Sequence, residues 1–358
     1  MSRTSEPEDN AVALSEAFFD EIVRPAIASV APPVLEQGAF GRFGYGSECL
    51  GLDDQISRDH HWGPQVALLL PERVLEDLGP APFQNVVAGF PDEFRGYPVK
   101  AGQGGAVGLA PESIESFLTR TIGRTAAPAT SHDWLDIAEE DIIHITNGKV
   151  FCDELGEFSR LRGVFLNYYP NDVWKRRIAH WCRYASGMGL YAMGRAYARG
   201  NLPYAFTTFA RTLKFTLELV HLLNRTYFTY DKWLFPLFSK LPQIAPEMQP
   251  LIEEAVEPGT SWPARIALLE RAHDLVDQNM VATGLIQPHP TFARSETSGY
   301  RLLEHAYGEL CRELPTDLLA HVPLCDQKYF ESFHVGFVAK LPMAEWDECL
   351  NLSRSEPE

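Results

Sequence analysis

The sequence predicts an α+β fold, with a mixed sheet and its helices at the amino-terminal end and a helical bundle after it. Three observations carry this. Val66-Ala67-Leu68-Leu69-Leu70 is a continuous apolar run of strand length, the pattern of a sheet strand buried on both faces. From Gly123 to Ser131 the chain is rich in small residues (Arg-Thr-Ala-Ala-Pro-Ala-Thr) and reads as a linker. Beyond that stretch helical periodicity dominates, so a sheet-bearing unit of about 125 residues precedes a mostly helical one. The expected boundaries are a disordered leader over 1–11, an α/β domain over 12–130 and a helical domain over 131–300. An extension of unassigned role over 301–350 and a disordered tail over 351–358 complete the chain.

Taken in order, Leu14 to Val30 has helical spacing, with Phe18, Phe19, Ile22, Val23 and Ile27 apolar, and Pro32-Pro33 ends it. Phe40 to Gly46, rich in glycine and aromatics, is a short strand running into a turn. Glu72 to Asp77 starts a helix after the apolar strand. Val86 to Phe94 and Gly96 to Val99 are weaker strand candidates, and Gly102 to Gly105 is a loop. Ser113 to Ile122 is an amphipathic helix closed by Gly123. Helices follow over Ala138 to Thr146, Asp153 to Leu166, Asp172 to Arg199 and Pro203 to Leu223. Three more cover Lys232 to Ser239, Met248 to Ala255 and Ala264 to Val281.

Length and composition bound the function. At 358 residues the chain suits two domains with a sizeable core. Its formal charge of −17 repels phosphate backbones, which argues against binding to long nucleic acid. An acidic body suits a cationic small molecule, or a protein partner, better. The six cysteines, at 49, 152, 182, 311, 325 and 348, form no Cys-x-x-Cys pair, as expected of reduced, buried thiols in a cytoplasmic protein. No apolar stretch is long enough for a membrane span, because the longest, Phe215 to Leu223, carries Glu218 and His221. Oligomeric state is not readable from the sequence.

The most informative segment is Gly46-Ser47-Glu48 followed by Ser57-Arg58-Asp59-His60-His61-Trp62-Gly63-Pro64. Small residues let backbone N–H groups and a hydroxyl approach a triphosphate, and a following helix turns its positive end toward the anion. Asp59-x-His61 reads as part of a strand leading through Trp62 into Val66 to Leu70, where residues i and i+2 share one face and converge on one cation. This pattern resembles the signature of the polymerase-β-type nucleotidyltransferases. Further motifs are Phe94-Arg95-Gly96-Tyr97-Pro98, Gly148-Lys149-Val150-Phe151-Cys152-Asp153 and Tyr168-Tyr169-Pro170-Asn171-Asp172-Val173-Trp174. The last is Leu222-Leu223-Asn224-Arg225-Thr226-Tyr227-Phe228-Thr229-Tyr230-Asp231-Lys232-Trp233. Together they resemble a family of nucleotidyltransferase-like proteins defined by a domain of unknown function, over roughly residues 40–285.

That resemblance implies a nucleotidyltransferase sheet with a helical bundle closing over it, as in kanamycin-nucleotidyltransferase-like enzymes. It implies ATP or another nucleoside triphosphate, a divalent ion such as Mg²⁺ or Mn²⁺, and transfer of a nucleoside monophosphate to a small-molecule acceptor. On it, Asp59 and His61 are metal-binding and catalytic, Gly46 and Ser47 hold phosphate, and Glu218 is a candidate base. Arg176, Tyr230 and Lys232 are candidate nucleotide contacts. Histidine stands at 61 where the superfamily has a carboxylate, which shifts preference toward Mn²⁺, Zn²⁺ or similar ions. His61 also suits proton transfer or a phosphate contact. A third carboxylate is expected on the Ala106-Val107-Gly108-Leu109 segment, but Gly108 stands there and the nearest acid is Glu112. A remodelled Asp/His single-metal site running a hydrolytic or biosynthetic reaction, or a silent nucleotide-binding protein, are the alternatives.

Each candidate also has a plain structural role. Asp59 could cap or pair with Arg58, and Ser47 could cap a helix. Asp53 and Asp54 suit a solvated turn. Arg176, Arg177, His180, Arg183 and Arg195 suit a charged exposed face, with 176, 180 and 183 on one side of the helix. Lys214 and Glu218 suit an i,i+4 pair.

Overall fold

In the computed structural model, β1 (Ala39–Arg42) is flanked by β2 (Val66–Leu70) and β6 (Lys149–Asp153), both antiparallel to it. β5 (Leu109–Ser113) lies parallel to β2 on the outer side, giving the order β5-β2-β1-β6. The structure describes residues 10–59, 62–99, 108–288 and 302–321. The mixed sheet and the helices around it make the fold α+β.

The period-two geometry of a strand divides the apolar run of β2 between two cores. Val66, Leu68 and Leu70 pack with Phe18, Phe19, Val23 and Ile27 from the amino-terminal helices. Leu69 faces the other way, with Ile114, Phe117, Leu118 and the helical half of the chain. Burial on both faces is what a continuous Val-Ala-Leu-Leu-Leu run requires. The Ile114–Ile122 helix is bounded as its sequence indicates. The Ser113 hydroxyl accepts from the N–H of Ser116 at 3.0 Å, and Gly123 closes the helix at φ +71°.

Two stretches differ from expectation. Val86 to Phe94 is not a strand: Ala81–Ala88 is a helix with Pro82 in its first turn, and Phe83, Val86 and Phe90 recur at helical spacing in the core. Only Glu93–Phe94 (β3) is extended, pairing with Tyr97–Pro98 (β4) across Arg95 and Gly96. Both turn residues have positive φ, 50° and 82°, as a two-residue hairpin requires. The sheet also runs past residue 130, where the composition changes, because its edge strand is β6. A unit closed at 130 would lack that strand. The Gly102 to Gly105 loop lies outside the described residues, as do residues 1–9 and everything beyond 321. The last two residues of the expected 1–11 leader are instead ordered, Asn10 capping the Ala11–Phe18 helix and Ala11 buried within it.

Gly148 sets the entry to β6. Its φ is +76°, its N–H donates to the carbonyl of Cys49 at 3.1 Å, and an added Cβ would stand 2.0 Å from the Arg42 carbonyl oxygen. Backbone, not a flexible side chain, is the obstacle. Gly148→Ala is expected to cost about 2 kcal/mol or more in chemical denaturation. A midpoint matching the wild type would mean that β1 and β6 can part at this point without loss.

The helical half is built around Leu202–Leu223, whose buried face runs from Ala205 through Thr212 to Leu223. Asn171–Arg183 continues through a π-helical stretch, Tyr184–Tyr191, into Ala192–Ala198, as one long element. The Leu302–Arg312 and Thr316–Ala320 helices dock on it, so at least this part of the 301–350 extension belongs to the helical body. Among the described residues no helix is long and apolar enough to cross a membrane.

Candidate functional site

Leaving β1, the chain makes one tight turn. The N–H of Cys49 and Leu50 donate to the Gly46 carbonyl at 3.0 and 3.2 Å, and that of Leu52 to the Ser47 carbonyl at 2.8 Å. The longer helix expected after Ser47 is therefore a single turn. At Gly46 an added Cβ would stand 2.3 Å from a Glu48 carboxylate oxygen, so a side chain there would have to displace the Glu48 carboxylate. Glu48 folds beneath the turn and is held by the buried Arg42 guanidinium at 2.9 Å, which also donates to Gln65. Ser47 is buried in this turn. Burial pushes the Cys49 thiol up to about 12, so it is not a nucleophile.

Asp53 is not solvated, as the sequence suggested, but buried. Its carboxylate accepts from the Asn10 side chain, the Ala11 N–H and the Trp62 indole, each at 3.0 Å. It anchors the first helix to the motif loop. Asp54 stays exposed and accepts from the Ser57 N–H at 2.8 Å and hydroxyl at 2.9 Å. The Ser57 backbone hydrogen bond holds its carboxyl below the usual range. This turn starts a short 3₁₀ helix, Ile56–Asp59, and the strand begins only at Val66. Asp59 thus ends a 3₁₀ helix instead of lying on a strand, and the argument from a shared strand face fails. The reason is local: the Asp54 cap winds the chain, and Gly63 at φ +137° precedes Pro64 before β2 can start. The Asp59 side chain and His61 lie outside the described residues. Arg58 stacks over the Trp62 ring at 4.3 Å.

Glu112 does stand on β5, opposite Leu69 in β2. Its carboxylate accepts from the Arg120 guanidinium at 3.0 and 2.8 Å and from the Ser116 hydroxyl at 3.2 Å. Among the described residues, no group of three or more His, Cys, Asp or Glu is arranged to hold a metal ion. Glu48, Asp53 and Glu112 are each held by protein donors instead and form no ion cage.

Tyr230 and His144 bring the helical half to the turn. Tyr230 is the N-cap residue of the Asp231–Phe238 helix, whose first turn has no side-chain cap. The Tyr230 ring lies 5.8 Å from that of Tyr45, and the Tyr45 ring lies 4.8 Å from His144. Lys232, exposed, is close enough to Asp54 to favour its charged form, and its ammonium stands over the Trp233 ring at 4.7 Å. Asp231 pairs with Lys214, which is also 3.5 Å from Glu218.

Glu218 is buried and accepts from the Trp181 indole at 2.8 Å. Burial pushes its carboxyl up to about 7, against Lys214 and the Trp181 hydrogen bond, with Glu140 and Asp231 adding to the rise. Burial alone would lower the Lys214 ammonium, but Glu218 and Asp231 hold it above its usual range. Burial, with Arg120, pushes His144 down to about 4, so its ring is neutral near pH 7.

Tyr230 thus adjoins the Gly46–Ser47 turn through Tyr45, Lys232 lies near Asp54 of the same loop, and Glu218 is joined to Asp231 through two ion pairs by way of Lys214. Arg176 is elsewhere. It is buried, donating to the Leu318 carbonyl at 3.1 Å and the His321 carbonyl at 2.8 Å, and it fastens the Thr316–Ala320 helix. The charged face expected around it is split: Arg176 and Arg177 are buried, whereas Arg183 and Arg195 are exposed as expected. Tyr45 and His144 were not singled out from the sequence. Tyr45 had a signal, an aromatic residue between Gly44 and Gly46, but nothing near His144 links it to a residue so distant in the chain.

Fold and site thus define a mixed α+β protein whose sheet turn faces the N-terminal end of a helix in its helical half. A family model described as a domain of unknown function (DUF4037) matches residues 134–234. That span contains His144, Arg176, Glu218, Tyr230 and Lys232, and begins only after the motif turn and Asp59. A comparison with curated proteins gives no match.

Proposed function

We propose that the protein is a nucleotidyltransferase-like enzyme, moving a nucleoside monophosphate from ATP or another nucleoside triphosphate to a small-molecule acceptor. The observation that best supports this is the approach of the Gly46–Ser47 turn to the first turn of the Asp231–Phe238 helix. Uncapped N–H groups at a helix N-terminus and the exposed Lys232 favour an anion there. In the reaction an acceptor oxygen bonds to the α-phosphorus, the bond to the β-phosphate oxygen breaks, and pyrophosphate leaves with that electron pair. The acceptor's proton needs a base. Glu218, balanced near neutrality, has the right strength and would act once its Lys214 link opens toward the site.

Asp59 and His61 are the residues assigned to a divalent ion, which when bound would neutralise phosphate charge. An imidazole donor suits Mn²⁺ or Zn²⁺ better than Mg²⁺. The same histidine favours a second reading, in which one ion serves a hydrolytic or biosynthetic reaction on this fold.

Calorimetric titration of ATP, then other triphosphates, with Mg²⁺ or Mn²⁺ tests the proposal on wild type and Asp59→Ala. Metal-dependent binding should vanish in the variant while its stability stays within about 1 kcal/mol of wild type. Failure of the wild type to bind any nucleotide overturns the proposal.

A further inference from the structure

We propose that the ring of Tyr45 is a stacking platform for the nucleotide base, so that the site selects for an aromatic base without choosing among bases. This rests on the nucleotide reading above. Tyr45 is half exposed, at 50%, although two other rings brace it. His144 meets it at 4.8 Å and a 51° tilt, and Tyr230 edge-on at 5.8 Å and 70°. These contacts fix the plane of the ring while half of its surface stays open to solvent. The neutral His144 brings no charge to the brace.

The phosphate end lies where such a ligand would need it. Ser47 is two residues from Tyr45, at most about 7 Å of backbone. Lys232 and the uncapped helix start follow directly from Tyr230. An aromatic face and a cationic end, side by side, match the two ends of a nucleotide. A π-face is presented by every base, so stacking on one gives affinity that tolerates changes of base. A purely structural Tyr45 would instead pack the turn against the helical half and contribute nothing to the base.

The two roles separate in a titration of ATP, UTP and inorganic tripolyphosphate, each with Mn²⁺, on wild type, Tyr45→Ala and Tyr45→Phe. ATP and UTP should bind the wild type within about tenfold of each other. Tyr45→Ala should weaken ATP by about 10- to 100-fold, the range of one lost base–aromatic stack, and leave tripolyphosphate unchanged; Tyr45→Phe should keep ATP affinity. Wild-type ATP affinity in Tyr45→Ala, or an equal loss for ATP and tripolyphosphate, overturns the stacking role. If ATP binding also depends on Asp59, the nucleotide reading survives that result. A wild type that binds neither ATP nor UTP overturns both.

Discussion

Arg177→Ala should destabilise the fold by about 3–5 kcal/mol, the cost of leaving a buried charge without its partner. Arg177 is 1% exposed and pairs with Glu139, itself 3% exposed. The same guanidinium donates to the carbonyls of Trp134 at 2.8 Å and Ile137 at 3.0 Å, and covers the Tyr169 ring at 4.9 Å. Truncation would strand the Glu139 carboxylate in the core and remove the guanidinium donor from the Ile137 carbonyl, while the Trp134 carbonyl keeps the Ile137 N–H at 3.3 Å. Arg177→Lys keeps the charge but cannot reach all three acceptors with a planar fork, so it too should lose stability. Adding Glu139→Gln to Arg177→Ala should recover at least about 1 kcal/mol, because the worst of the penalty is the stranded charge. Denaturant midpoints of these variants check this. A loss below about 1 kcal/mol for Arg177→Ala would mean the pair is not a structural anchor.

Arg177 also shows what sequence reading can and cannot reach. On the helix, 176, 177, 180 and 183 read as charged and exposed, because nothing local offers them partners. The acceptors for 176 and 177 are carbonyls at 134, 137, 318 and 321, brought in by packing alone. Asp53 is the same case, since its partners Asn10 and Ala11 lie 43 and 42 residues away. By contrast β2 was legible because burial on both faces leaves an unbroken apolar run, and the Ile114–Ile122 helix because both its caps are local chemistry. β6 was hidden: Lys149-Val150-Phe151-Cys152-Asp153 is short and only half-buried, with little alternation to see. In the site, Tyr230 and Lys232 could be singled out from their charged-aromatic segment. Their approach to the motif turn depends on how the two halves pack, and so did the recruitment of His144.

Glu218→Gln should make the protein more stable than the wild type at alkaline pH by an amount on the order of 3 kcal/mol, and leave it nearly unchanged below pH 4.5. The folded carboxyl is raised from 4.5 to about 7, so between those values the folded state holds a proton that the unfolded state has released. Stability from this group is therefore complete below pH 4.5, falls as pH rises, and is gone above about pH 7. A shift of that size corresponds to about 3 kcal/mol at 1.36 kcal/mol per unit. The raw wild-type curve would conceal it. His221, on the same helix, is pushed from 6.5 down to about 4 by burial, so its contribution rises with pH over nearly the same window. The two slopes oppose each other. Subtracting the variant's curve from the wild type's removes the histidine and isolates Glu218. Glutamine preserves the shape and can still accept from the Trp181 indole, while Asp231 keeps Lys214 paired. Urea denaturation of both proteins from pH 4 to 9 supplies the difference. A difference that does not vary with pH would show that Glu218 titrates as an ordinary carboxylate, and would remove the basis for assigning it the acceptor's proton.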